Sequence, residues 1–305
     1  MPNNRLNVVT GAYGYTGRYI ARRLLASGTR VRTLTDHPDR PDPFGGQVET
    51  APFNFGRPAK LAKSLEGATT LFNTYWIRFE HGAMTFEKAV RNTRALIRAA
   101  EEAGVRRIVH TSIANPSADS PFPYYRGKAE IEALIRGSKL SYAILRPTVI
   151  FGPEDILINN IAWMLRHFPA FGVPDRGECR LQPVFVEDFA DAAVEAAGRT
   201  ENTVMDVVGP ETFAFEELVR LIAKVVRSRA RVLRIGPSLA LHASRAIGVM
   251  VKDIVLTRDE LYGLMADLLV SEEPPRGRTR LSEWLKANAD SVGREYHSEL
   301  DRHYR

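Results

Sequence analysis

The chain has 305 residues and a single cysteine, Cys179. One thiol forms no internal disulfide and no cysteine-based zinc cluster, so a reducing interior is expected, with the cytoplasm as the localisation. No histidine lies near Cys179 in sequence, and the thiol reads as half-buried rather than nucleophilic. No apolar run reaches the ~20 residues that cross a bilayer. The most apolar stretch, residues 239–256, is broken by His242, Arg245, Lys252 and Asp253. It reads as amphipathic helix over a core or a partner surface, and no integral membrane segment is expected. The opening residues run straight into a strand pattern, so no signal peptide is expected either. The seven histidines show no ligand spacing, and no metal is expected. A Gly-x-Ser-x-Gly elbow is missing, which excludes the usual serine hydrolase. Although the net charge is +6, short pairs such as Arg22-Arg23 and Arg106-Arg107 border apolar segments and read as solvated faces. A nucleic-acid partner is therefore not expected. The small basic cluster over residues 276–280 reads as a linker into the last helix.

What is present is an alternation of strand and helix patterns. A strand over residues 7–10 leads into a glycine-rich turn and a helix over 16–27, which Gly28 stops. A β-branched strand follows over 30–36, then a Pro/Gly-rich loop over 38–46. A short helix at 61–66, a strand at 70–74 and a long helix at 86–103 come next. A strand at 107–111, a helix at 129–137 and a strand at 142–146 complete the series. This spacing predicts an α/β fold with a doubly wound parallel Rossmann sheet. Residues 1–150 form the expected dinucleotide domain, completed by elements within 182–210. Residues 151–305 form a smaller, mainly helical part, with a Pro/Gly-rich loop at 169–180 and a substrate cleft at the carboxyl ends of the strands.

The first turn reads Gly11-x-x-Gly14-x-x-Gly17. The first glycine permits the tight turn. The second lets backbone approach a pyrophosphate, and the third lets helix pack on strand. The helix N-terminus then offers N–H groups and partial positive charge to the phosphates. Asp36, about 20 residues on, suits the ribose hydroxyls of NAD and repels the 2′-phosphate of NADP. A plain turn aspartate before His37-Pro38 is the alternative. Arg32 and Arg40 lie close enough in sequence to keep NADP open.

Tyr124 and Lys128 form a Tyr-x-x-x-Lys pair, four apart and so on one helical face. A lysine cation beside a phenol favours its ionised form, which equips the pair for proton exchange with a carbonyl or alcohol.

By these features the chain resembles the extended and atypical branch of the short-chain dehydrogenase/reductase superfamily. The glycine loop and Tyr124/Lys128 carry the likeness. Residues 143–155 (AILRPTVIFGPED), 182–190 and 204–217 extend it, over about residues 5–226. Within the branch, FGPED and the following loop look closest to relatives of the short-chain-fold accessory subunit of respiratory complex I, a group often labelled NAD-dependent epimerase/dehydratase.

The resemblance implies an NAD(P)-dependent oxidoreductase or epimerase acting on a small molecule. Tyr124 would be the acid/base, Lys128 would tune it and bind ribose, and Ser112 would polarise the substrate oxygen. Expected cofactor contacts are Gly11, Tyr13, Gly14, Tyr15, Thr16, Gly17, Asp36, His37, Asn54, Tyr75, Thr111, Lys128, Pro147 and Val149. Two registers stay open after the strand ending at Thr111: either Ser112 or Ile113 fills the catalytic hydroxyl slot. The alternative function is a non-catalytic NAD(P)-binding sensor or assembly protein. Tyr75 and Trp76 either wall a substrate pocket or pack as core aromatics. The helix at 86–103 is the candidate face for a homodimer.

Overall fold

A computed structural model describes residues 5–37, 40–174 and 177–304. The chain divides into two compact units. One comprises residues 1–146 with 189–206, the other 147–188 with 207–305. Pro38 lies outside the described residues.

The first half of the chain contains β1 (Leu6–Thr10), α1 (Tyr15–Ala26), β2 (Arg30–Leu34), β3 (Val48–Ala51) and α2 (Pro58–Leu65). β4 (Ala68–Asn73), α3 (Phe86–Glu102), β5 (Arg107–Thr111), α4 (Pro123–Arg136) and β6 (Ser141–Arg146) follow. The second half contains β7 (Ile150–Phe151), α5 (Leu157–His167), β8 (Ala170–Pro174), β9 (Arg180–Leu181), β10 (Val184–Phe185), α6 (Val186–Ala197) and β11 (Thr203–Asp206). It ends with β12 (Phe213–Ala214), α7 (Phe215–Val225), β13 (Arg231–Ile235), α8 (Pro237–Val251), α9 (Arg258–Met265), α10 (Leu281–Ala287) and α11 (Glu299–His303).

Seven strands of the first unit form one sheet in the order β11-β6-β5-β4-β1-β2-β3, with every pairing parallel. This is the doubly wound Rossmann sheet the sequence predicts. The order reverses between β1 and β4, and such a switch opens a crevice at the carboxyl ends of the strands. β1 is buried along its whole length, as a central parallel strand must be. α3 buries Phe86, Ala89, Val90, Leu96, Ile97 and Ala100 in the core of this unit. The apolar side of this helix is therefore used internally.

Two local readings are corrected. The helix expected at 129–137 begins at Pro123. Tyrosines and Gly127 are weak helix formers, but proline at the first helical position has its φ preset, and it lacks only an N–H that would go unpaired there. The loop expected over 169–180 contains β8, a strand rich in Pro and Gly that pairs in parallel with β13. Proline is tolerated there because it sits at the strand's end.

The second unit has its own core. Phe151, Ile158, Leu165 and Phe171 pack with Leu218, Ile222, Leu281 and Leu285. Three two-stranded pairs, β7–β10, β9–β12 and β8–β13, accompany the helices.

Candidate functional site

The turn after β1 is built from backbone. Gly11 has φ +67°, in the left-handed region that favours glycine, and its N–H donates to Leu34 O at 2.9 Å. Gly14 N donates back to Gly11 O at 2.8 Å and stands at the N-cap of α1. A Cβ on Gly17 would lie 2.3 Å from Gly11 O, so only glycine lets α1 come this near. No side chain caps α1 and its first turn carries no acid. That leaves the helix N-terminus suited to an anion.

The other loop residues point in several directions. Tyr13 is buried, stacks on Phe44 and shares a hydrogen bond with Thr50 Oγ1 at 2.9 Å. Tyr15 lies edge-on to Tyr19, and Thr16 is half-buried.

Asp36 follows β2. Surrounding protein raises its pKa, opposed by the charges of His37 and Lys88 and by a hydrogen bond from the Phe53 backbone. Tyr75 belongs to the same neighbourhood. Burial raises its pKa, a hydrogen bond with Asn92 opposes this, and the Asp36 charge adds to the rise. Asn92 Nδ2 donates to Tyr75 OH at 2.8 Å, and the ring packs on Phe53 and Phe55. Asn54 takes a left-handed backbone, φ +51°, at the turn after β3; asparagine tolerates that region well. Arg32 does not reach this corner freely. Its guanidinium is committed to Glu49 at 2.9 Å, Ser64 O at 3.1 Å and Glu66 O at 3.2 Å.

Across the switch point, Thr10 ties the glycine turn to β4. Thr74 N and Tyr75 N donate to Thr10 Oγ1 at 2.7 and 3.0 Å, and Thr74 Oγ1 donates to Thr10 O at 2.5 Å.

The β5–α4 side is made of side chains. Lys128 is buried, 2% exposed, and its Nζ donates to Thr111 O at 2.8 Å. The Trp76 ring covers the ammonium at 4.9 Å. Burial pulls the Lys128 pKa down to about 7, with Glu132 pulling the other way. Trp76 stacks on Phe86 at 5.8 Å and meets Tyr124 edge-on at 5.8 Å. A Cβ on Gly127 would lie 2.7 Å from the indole, so glycine there lets the ring lie against α4.

Ser112 is buried, and its hydroxyl donates to Glu132 Oε1 at 2.6 Å. Burial pushes the Glu132 carboxyl up, but hydrogen bonds from Arg146 and Ser112 and the charges of Arg146 and Arg136 outweigh it and hold the pKa low. Arg146 contacts both Glu132 oxygens, at 2.9 and 2.6 Å, and Arg136 adds a contact at 2.9 Å. Ile113 is buried beside Ser112.

Beneath them His110 is buried, with Nδ1 3.1 Å from Asn73 Nδ2. Burial and the Lys128 charge push its pKa well below the usual histidine range. Asn73 Oδ1 accepts from Tyr75 N at 3.1 Å, so its amide nitrogen faces the imidazole and the proton sits on Nε2.

The structure thus brings together Gly11, Gly14 and Gly17 at one turn, and Thr111, Ser112, Tyr124 and Lys128 around α4. Pro147 is buried and Val149 half-buried, and both belong to the second unit. Sequence reasoning missed Glu132, Gly127, His110 and Asn92. Glu132 stands four residues after Lys128, and that spacing is its one sequence signal.

An uncapped, acid-free helix N-terminus after a glycine turn, with a carboxylate after β2, is the donor set of a dinucleotide-binding domain. The residues present fit NAD(P). Comparison with known proteins agrees. A family model described as NAD(P)H-binding matches residues 11–155. The mitochondrial NADH dehydrogenase [ubiquinone] 1 alpha subcomplex subunit 9 of Arabidopsis thaliana is 25% identical over 284 residues, 87% of this chain and 70% of that protein. Ceramide reductase of Caulobacter vibrioides is 26% identical over 234 residues, 74% of this chain and 72% of that protein. The solved UDP-glucose 4-epimerase from Brucella ovis, in complex with NAD, shares the fold at a TM-score of 0.65 and 17% identity, covering 76% of this chain and 86% of that one. Relative lengths differ: the chain spans 55% of the mouse subunit 9. The chain carries an NAD(P)H-binding domain and is homologous to the complex I subunit 9 proteins.

Proposed function

We propose that this chain is an NAD(P)-dependent oxidoreductase that interconverts a carbonyl and an alcohol, as a reductase or, by transient oxidation, as an epimerase. One observation carries the reading: a buried lysine with pKa about 7 lies four residues, roughly one helical turn, after Tyr124 on α4. Bound NAD(P)H supplies the hydride. The Tyr124 hydroxyl gives its proton to the substrate oxygen during reduction and recovers one in the reverse direction. Lys128 favours the ionised phenol, and its own pKa near neutrality suits it to restoring that proton. Ser112 has one hydroxyl proton, directed at Glu132. In this reading it clamps β5 to α4 and leaves substrate polarisation to Tyr124. Asp36 and the committed Arg32 support NAD over NADP. The part over residues 151–305 selects the substrate. The name of the Caulobacter relative supports the reductase direction.

A second reading is favoured by the same serine. With its hydroxyl donating to Glu132 and Ile113 buried beside it, Ser112 is not turned to a substrate oxygen. The chain then holds NAD(P) without turnover, in keeping with its homology to a complex I subunit.

The substitution Tyr124→Phe separates the two. Turnover of carbonyl, alcohol or nucleotide-sugar substrates should fall by about 100-fold or more, while the rise in melting temperature on adding NAD or NADP persists. A wild-type protein that is stabilised by cofactor yet shows no turnover would establish the second reading.

A further inference from the structure

Five large apolar side chains stand exposed among the described residues, and all lie between residues 233 and 262: Leu233, Leu239, Val249, Met250 and Tyr262. Three of them are on α8. This helix buries Ala240, Ser244 and Gly248, a row of small residues four apart, and Gly248 packs so closely that a Cβ would lie 2.6 Å from Asp253 O. The larger residues therefore face outward. Leu239, Ala243, Ala246 and Met250 follow one another at spacings of four, three and four along the exposed side, with Val249, 82% exposed, beside them. Arg245 and Lys252, both exposed and seven apart, flank the stripe. The fully buried positions of α8 are thus small residues, while Leu239, Val249 and Met250 stand outward, against the usual amphipathic pattern.

The surrounding charge is one-sided. From residue 218 to 252 the chain has eight lysine and arginine residues and no aspartate or glutamate. Glu216 pairs with Arg220 and Arg234, at 2.7 and 2.6 Å, and the segment as a whole stays strongly positive.

We propose that α8 and β13 form a docking surface for an anionic lipid bilayer, with α8 lying in the interface. A second copy on this face would set like charges against each other. A nucleic acid would answer the cations and leave the aliphatic stripe in water. An anionic bilayer answers both: the Leu, Val and Met side chains enter the acyl boundary and the cations sit over lipid phosphates. With 15 residues, α8 is too short to span, and no helix of the described residues is long and apolar enough to cross a membrane.

The test is flotation of the full chain with phosphatidylcholine vesicles and with equimolar phosphatidylcholine–phosphatidylglycerol vesicles. Binding is expected to the mixed vesicles alone and should weaken as salt is raised. The double substitution Val249→Asp with Met250→Asp should abolish it, and Arg245→Glu should weaken it about tenfold. Both variants alter exposed positions, so an unchanged melting temperature certifies their fold. Absence of binding to mixed vesicles, or binding that neither variant reduces, overturns the proposal. So does a dimer in sedimentation that the double substitution converts to monomer, since the stripe is then covered by a second copy.

Discussion

Between β1 and α1 the groups of the candidate site are backbone N–H groups, set by where glycine stands. Between β5 and α4 they are side chains, set by which charges were buried together. At the first place Gly11 O, Gly14 N and the nearness of Gly17 fix the turn within seven residues of chain. At the second, one carboxylate gathers Ser112 from 20 residues before it, and Arg136 and Arg146 from four and 14 residues after it. A backbone-made site is rigid and carries no ionisable group, so pH leaves it alone. A site made of buried charges is sensitive to pH and to the loss of any one member. Each substitution below strains one side and spares the other.

Glu132→Ala is expected to have the largest effect. It leaves Arg146 and the Ser112 hydroxyl without their shared acceptor in a place where Glu132 is only 3% exposed. Breaking a buried pair from one side costs about 3–5 kcal/mol. Urea unfolding should show a loss of that size, whereas Glu132→Gln, which keeps an acceptor oxygen for Ser112, should lose less. Equal losses for both would mean that the serine contact contributes nothing.

Lys128 sharpens the contrast through pH. Its folded-state pKa of about 7 lies below the ordinary 10.5. Below about 7 both states carry the proton, and the folded state bears the full penalty of a buried cation. As pH rises from about 7 towards 10.5 the unfolded chain binds the extra proton, so stability rises through that window. Lys128→Met removes this slope. Measured without cofactor at pH ~6, the variant should be more stable than the wild type, on the order of a few kcal/mol. The advantage should shrink towards the upper end of the window. A constant difference across pH would mean that Lys128 is already hydrated.

The same division explains what was legible beforehand. The glycine turn, the parallel sheet and the strand at β5 follow from spacing and periodicity, which are local. The start of α4 did not, because Tyr124, Tyr125 and Gly127 argue against helix until Trp76 and Phe86 pack on them. β8 was hidden by its Gly and Pro and is held by β13, some 60 residues away. The role of Glu132 was hidden for a similar reason. A glutamate on a helix reads as solvated until its distant partners are known, and the Ser112–Ile113 ambiguity turned on that missing partner.

On the backbone side, Gly17→Ala places a Cβ 2.3 Å from Gly11 O and 2.8 Å from Gly11 C. Neither atom belongs to a movable side chain, so α1 must shift away from the turn. Overpacking of this kind costs about 1–3 kcal/mol. The stabilisation by NAD in a thermal shift should be lost along with it, and the size of the loss should not vary with pH. A pH-dependent loss would mean that the turn is coupled to the Lys128 cluster, and the separation of the two sides would fail.

The smallest effect is expected at Asp36, where a charged group joins the backbone site. The carboxylate follows β2 beside Tyr75, while Arg32, the basic residue of β2 nearest in sequence, is held by Glu49 and by the carbonyls of Ser64 and Glu66. Discrimination against NADP then rests on repulsion between Asp36 and the phosphate, worth about 1 kcal/mol for unit charges ~4 Å apart in water. Asp36→Asn should raise the ratio of NADP to NAD affinity by about five- to tenfold, read by titration calorimetry, without altering stability much. Because no arginine is freed by the change, NADP should gain only what the repulsion withheld. Adding Glu49→Gln, which loosens Arg32, should raise the ratio further if Arg32 can then reach the ribose corner. An unchanged ratio in the single variant would place Asp36 away from the ribose and make it the turn aspartate that His37 and Phe53 already partner.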